Sequence, residues 1–79
     1  MADARDAYQR AITADPGMAA PQRNLAVLLD LYLAQPVVAL EHYERYQQLD
    51  GGADTDATAW TAELRARLSQ TQRVAGSTP

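Results

Sequence analysis

Three interruptions break the helical pattern of this chain: Asp15-Pro16-Gly17, Ala34-Gln35-Pro36 and Asp50-Gly51-Gly52. Proline disfavours helical geometry in the residue before it, and glycine accepts the left-handed turn that follows a helix. Between the interruptions, apolar residues recur every three or four positions, the period of one helix face. Ala4, Ala7, Tyr8, Ala11 and Ile12 form the first such stripe. Leu25, Leu28, Leu29 and Tyr32 form the second, with Val27, Leu31 and Leu33 on other faces. A helix that is apolar nearly all round is covered on more than one side, so the second helix is expected to be central. Ala39, Leu40, Tyr43, Tyr46 and Leu49 follow in the third, and Ala57, Trp60, Leu64 and Leu68 in the fourth. The spacing predicts helices near 3–14, 21–33, 36–49 and 55–70, and no strand alternation occurs. The fold class is all-α, with four helices.

Local chemistry supports these limits. Pro21 and Pro36 suit first-turn positions, where a missing N–H costs nothing. Thr55 and the acids from Asp54 to Asp56 can cap the fourth helix. Asp6 with Arg10, Glu41 with Arg45, and Glu63 with Arg67 stand one turn apart as expected surface ion pairs. From Thr71 the apolar pattern stops. The chain therefore reads as one helical domain over 1–70 and a disordered tail over 71–79.

Seventy-nine residues allow one modest core, of the order of 3–5 kcal/mol when nothing staples it. There is no cysteine, which excludes disulfides, thiol catalysis and thiolate metal sites. The net charge is −3, with the arginines scattered among acids in place of a basic stripe. A nucleic-acid partner is not expected. No apolar run approaches the roughly 18 residues of a membrane helix, and Met-Ala-Asp-Ala-Arg-Asp carries no apolar signal core. A soluble chain without membrane insertion is the expectation. Its alanine and arginine content fits a bacterial, high-GC origin.

The first and third helices superimpose in sequence. Ala4, Tyr8, Ala11 and the Pro16 turn correspond to Ala39, Tyr43, Tyr46 and the Gly51 turn, thirty-five residues on. Ala4-x3-Tyr8-x2-Ala11-x4-Pro16 resembles the second-helix signature of the tetratricopeptide repeat family: small, aromatic, small, then a proline turn. Leu25-Ala26 followed by Leu29 resembles that family's first-helix signature, and Trp60 with Leu64 occupies the same places in the fourth helix. The resemblance covers about residues 3–70. It departs at Tyr46, where a small residue is usual, at Gly51-Gly52 in place of proline, and by one extra residue between Leu31 and Pro36. An unrelated four-helix bundle is the competing architecture. The resemblance implies antiparallel helix-turn-helix repeats, a segment of an α-solenoid in the order B, A, B, A. That order looks like the C-terminal end of a longer array.

What the resemblance implies for function is protein–protein interaction: a scaffold whose first-type helices line a groove for a peptide or partner helix. Asn24 stands beside Leu25, where the family often carries an asparagine that holds ligand backbone, and an amide both donates and accepts. That Asn24 merely solvates a helix surface is the open alternative. Arg23, Val27, Asp30 and Leu31 share its face, with Arg65 joining from the fourth helix. These six form the candidate groove.

Catalytic parts are lacking. His42 is the single histidine and reads as a surface residue beside Glu41, so neither a multi-histidine metal site nor a catalytic role is expected. Gly51-Gly52 lacks the lysine of a phosphate loop. The helical spacing of Trp60 and the tyrosines favours core packing over a stacking surface; Tyr8 and Tyr43 read as structural, whereas the phenols of Tyr32 and Tyr46, at helix ends, can reach water. No cofactor and no enzymatic activity are expected. A structural or weakly self-associating end segment, and a non-catalytic appendage of an enzyme encoded upstream, remain the alternatives.

Overall fold

A computed structural model of the chain describes the backbone of residues 2–76 and the side chains of residues 3–71. It contains α1 (Ala2–Ala14), α2 (Ala19–Leu31), α3 (Pro36–Asp50) and α4 (Thr55–Gly76), with no strand among the described residues.

Each boundary has a local cause. After α1, the Asp15 carboxylate accepts the Gly17 amide at 3.2 Å, and the Met18 amide bonds the Asp15 carbonyl at 3.1 Å, which closes the turn. Helix α2 starts two residues earlier than expected, at Ala19. Pro21 still falls within the first turn, where backbone amides lack intrahelical partners anyway. It also ends two residues earlier than expected. The Tyr32 and Leu33 amides both bond the Leu28 carbonyl, at 3.0 and 3.1 Å, and Ala34 adopts a left-handed φ of 51°. Such a conformation costs a residue with a Cβ roughly 1–2 kcal/mol.

Pro36 opens α3, and Gly51 and Gly52 close it with φ of 70° and 76°. Nothing lies within 4 Å of a Cβ built at either glycine, so the need for glycine there is conformational and not steric. Asp54 caps α4 by accepting the Ala57 amide at 3.1 Å. Helix α4 then runs to Gly76, past the expected end near residue 70. Six residues assigned to the tail are thus helical, and Ser77 to Pro79 lie outside the described residues. No proline occurs between Thr55 and Gly76 to stop it.

The helices pack in chain order, α1 on α2, α2 on α3 and α3 on α4, and no packed α1–α4 pair closes a bundle. Cross-helix partners give the directions. Tyr46 meets Asp54 while Glu44 meets Arg65, so α3 and α4 are antiparallel. Arg23 meets Asp54 while Asp30 meets Arg67, so α2 and α4 run parallel. Leu25, Ala26, Leu28 and Leu29 of α2 join Ala39 and Tyr43 of α3 and Leu64 of α4 in the core. Helix α2 is central, as its all-round apolar pattern predicts. Helix α1 supplies only partly buried side chains to that core, Ala4, Tyr8 and Ile12, and Ala7 is exposed in place of joining the packed stripe. Tyr46 is buried as well, packed inward from α3.

The expected surface ion pairs are not the ones formed. Among the described residues, Arg67 pairs with Asp30 and Arg45 bonds Gln48, while Asp6 and Arg10 form no bridge. An exposed pair one turn apart is worth a few tenths of a kcal/mol, so a cross-helix partner readily displaces it.

Candidate functional site

The exposed face of α2 toward α4 is organised by residues seven positions apart. Arg23 and Asp30 fall on one side of α2, and Trp60 and Arg67 on one side of α4, because seven residues are nearly two full turns. Running parallel, the two helices match these residues as two rungs. At one rung the Arg23 guanidinium lies 5.1 Å from the centre of the Trp60 ring. At the other, Arg67 Nη2 contacts both Asp30 carboxylate oxygens, at 3.1 and 3.3 Å.

Between the rungs Val27, Leu31, Tyr43 and Trp60 line an apolar cleft of about 100 Å³. Tyr43 forms its floor. It is buried, and its ring lies 6.5 Å from that of Trp60 at a tilt of 55°. Burial raises the Tyr43 phenol above its usual range, with the Asp30 carboxylate adding to the effect. Leu31 and Trp60 form the walls and are 68% and 37% exposed. Trp60 is therefore not a core residue, as its place in the apolar stripe suggested. It has Tyr43 on one side and Arg23 close by, and presents its remaining surface outward.

On the other side of α2, Arg23, Asn24 and Val27 line a shallower depression of about 190 Å³ with Ala4, Tyr8 and Tyr32. Val27 borders both hollows. A wide concavity, about 500 Å³, lies over Asp6, Gln9, Arg10, Thr13 and Ala14. All five belong to α1, so it is an open helix surface with no lining residue from another element.

Of the six predicted groove residues, the fold brings Arg23, Asn24, Val27, Asp30 and Leu31 to this region and separates Arg65 from it. Arg65 Nη2 bonds Glu44 of α3 at 2.8 Å, one helix face away from Trp60 and Arg67. Arg67 is the α4 arginine that reaches α2. The seven-residue spacing from Trp60 was the signal that could have identified it. Trp60, Tyr43, Tyr8 and Tyr32 also belong to the two hollows.

The near end of the groove is held by one carboxylate. Asp54 accepts the Ala57 amide on one oxygen and the Tyr46 hydroxyl on the other at 2.8 Å, with Arg23 Nε at 3.3 Å. The Ala57 amide and the Tyr46 hydroxyl hold the Asp54 carboxyl below its usual range, and the same bond pushes the Tyr46 phenol up to about 12. Asp54 thereby links α2, α3 and the start of α4. His42 is not a free surface residue. Its Nδ1 lies 2.7 Å from Gln22 Oε1 of α2, and burial lowers its pKa despite the opposing charge of Glu41.

The class defined by these observations is an all-α chain of four successively packed helices with an apolar cleft flanked by guanidinium groups. No protein-family model, no curated protein and no solved structure matches the chain. No described helix is long and apolar enough to cross a membrane. Among the described residues, no group of three or more His, Cys, Asp or Glu side chains could hold a metal ion.

Proposed function

We propose that this chain is a tetratricopeptide-type segment of an α-solenoid that binds a peptide or partner helix, and that it works as an interaction module and not as an enzyme. The observation that carries this reading is the exposed apolar cleft between two parallel, alternate helices, α2 and α4. A chain with so small a core gains stability by covering large apolar side chains, yet Leu31 and Trp60 stay open beside Val27. The element spacing also favours it: α1 and α3 start at residues 2 and 36, α2 and α4 at 19 and 55. These offsets of thirty-four and thirty-six suit a helix-pair repeat. Extents of 46 × 29 × 16 Å, and a radius of gyration of 13.6 Å against about 12 Å for a compact chain of this length, suit a solenoid better than a closed bundle.

The test is chemical-shift mapping with a pool of randomised short peptides. Shifts concentrated on Val27, Leu31, Tyr43, Trp60 and Arg67 are the expected result. Shifts on the outer face of α1, or none at saturating pool concentration, reject it. A second reading, self-association, is favoured by α1: Ala7 and Ala14 are exposed on a helix that has only one neighbour. Sedimentation across a concentration series distinguishes it, because a peptide-binding module remains monomeric without ligand.

A further inference from the structure

We infer that the cleft of Val27, Leu31, Tyr43 and Trp60 takes a single aliphatic side chain from an extended partner segment with a carboxylate on either side of it. The inference rests on the reading that this face binds a peptide, and it specifies the peptide's chemistry.

Size sets the anchor. A cavity of about 150 Å³ accommodates a benzene molecule, whereas this cleft offers about 100 Å³. A leucine, isoleucine or methionine side chain suits that open space better than the larger phenyl ring. All four lining side chains are hydrophobic or aromatic, so a polar anchor would be desolvated without a partner.

Charge sets the flanks. In the Arg67 rung the carboxylate is the covered member and the guanidinium the exposed one, while in the Arg23 rung both are half-covered. Asp30 is 12% exposed beneath Arg67 at 57%, and Asp54 is 26% exposed beside Arg23 at 35%. A guanidinium carries five N–H donors in a fixed fork, and the contacts above leave donors on each arginine for a second acceptor. An approaching segment therefore meets hydrogen-bond donors on both sides of the cleft. The chain's net charge of −3 does not override this. Asp30 and Asp54 offset the two guanidinium charges at the site itself, so the preference rests on the unused N–H donors of the arginines and is small.

Geometry sets the spacing. Arg23 and Asp30 are seven residues apart on α2, about 10 Å along its axis. An extended chain advances about 3.3 Å per residue and alternates its faces. Carboxylates two residues before and two after the anchor therefore point the same way as the anchor and stand about 13 Å apart. Flexible glutamate and arginine side chains absorb the difference.

The experiment uses the full chain and the emission of Trp60, the single tryptophan. The probes are acetylated, amidated pentapeptides: Glu-Ala-Leu-Ala-Glu, with its Gln-flanked and Lys-flanked counterparts, and Glu-Ala-Ala-Ala-Glu and Glu-Ala-Phe-Ala-Glu as anchor controls. Glu-Ala-Leu-Ala-Glu is expected to bind tightest. The advantage is about tenfold or more over the alanine-centred peptide, since each tenfold is about 1.4 kcal/mol and a buried leucine contributes at least that. Over the Gln-flanked peptide it is about two- to fivefold, the worth of exposed charge pairs. Leu31→Glu is expected to abolish binding. Because Leu31 is exposed, its helical circular dichroism and melting midpoint should stay near wild type. Arg67→Gln should remove most of the preference for Glu over Gln flanks. Equal or tighter binding of the Lys-flanked peptide overturns the acidic assignment while leaving a peptide groove intact. Equal binding of the phenylalanine-centred peptide overturns the size assignment. Emission that responds to no pentapeptide, while the randomised pool still shifts the groove, overturns the inference but not the function. Silence in both experiments overturns both. Emission that varies with the chain's own concentration, and not with peptide, makes a second copy the occupant and also overturns the inference.

Discussion

His42, half-buried against Gln22 between α2 and α3, shows how burying one imidazole makes stability depend on pH. Gln22 is buried, and its amide oxygen accepts from the neutral imidazole when Nδ1 carries the proton. Burial places the folded-state pKa of His42 below the 6.5 of a free histidine. The unfolded chain therefore takes up the proton first as the solution is acidified. Burial of the neutral imidazole costs no stability above about pH 6.5, and stability falls as the pH drops toward the lower folded value, because the charged ring is poorly solvated in the fold. Thermal melts at about pH 7.5 and about pH 5 should show a lower midpoint in acid. In His42→Gln that acid-dependent fall should be reduced, leaving only what the carboxylates contribute. A wild-type midpoint unchanged over this range would mean the imidazole is as well solvated in the folded chain as in the unfolded one.

Helix α2 is the element on which the rest is assembled. Leu25, Leu28 and Leu29 are buried between α1 and α3, whereas Leu31, two residues beyond Leu29, stands 68% exposed at the edge of the cleft. Chemically identical truncations on one helix should therefore separate sharply. Leu29→Ala is expected to cost about 2–5 kcal/mol through lost transfer energy and the cavity left behind. Against a total of a few kcal/mol for a core of this size, that unfolds most of the chain. Leu31→Ala should stay within about 0.5 kcal/mol, as a surface substitution does. Urea or thermal unfolding of the two variants side by side is the measurement. Similar losses for both would show that Leu31 is packed in solution and that the cleft is closed.

The whole molecule is uneven in stability, because its helices are linked in a line. Helices α2 and α3 share the most extensive interface, and α3 is held on both sides by α2 and α4. Helix α1 has a single neighbour and no fully buried side chain among residues 3–14. Local opening costs least where few apolar contacts are broken. Amide exchange should therefore be fastest in α1 and slowest around Leu25 to Leu29, with α1 opening below the global unfolding energy. Equal protection of α1 and α2 would require a partner on its outer face, which sedimentation would reveal as a dimer. The same linear arrangement leaves α2 and α4 free to present one common face, and that face is where the cleft lies.

The number, order and approximate limits of the helices were legible in the residues, because they depend on local chemistry. Proline and glycine interruptions, three-and-four spacing and the all-round apolar pattern of α2 act within a few positions of themselves. That Arg23, Asn24, Val27, Asp30 and Leu31 share one helix face was legible for the same reason, since it follows from the period of α2 alone. What lay beyond reach depended on which helix meets which, and in which direction. Glu63 is Arg67's neighbour in sequence, yet the parallel run of α4 beside α2 brings Asp30 to it instead. Arg65 and Arg67 differ by two positions, about 200° around a helix, and only the packing of α4 on α3 turns Arg65 to Glu44. Trp60 has the spacing of a core residue and becomes a cleft wall because Tyr43 and Arg23 take up one part of its surface and leave the rest open. His42 looked solvated from its neighbour Glu41, but its environment is set by Gln22, twenty residues away. Helical periodicity is a short-range property and survives in any context. The partner of a side chain is a property of the assembled helices, fixed by interactions that no single segment contains.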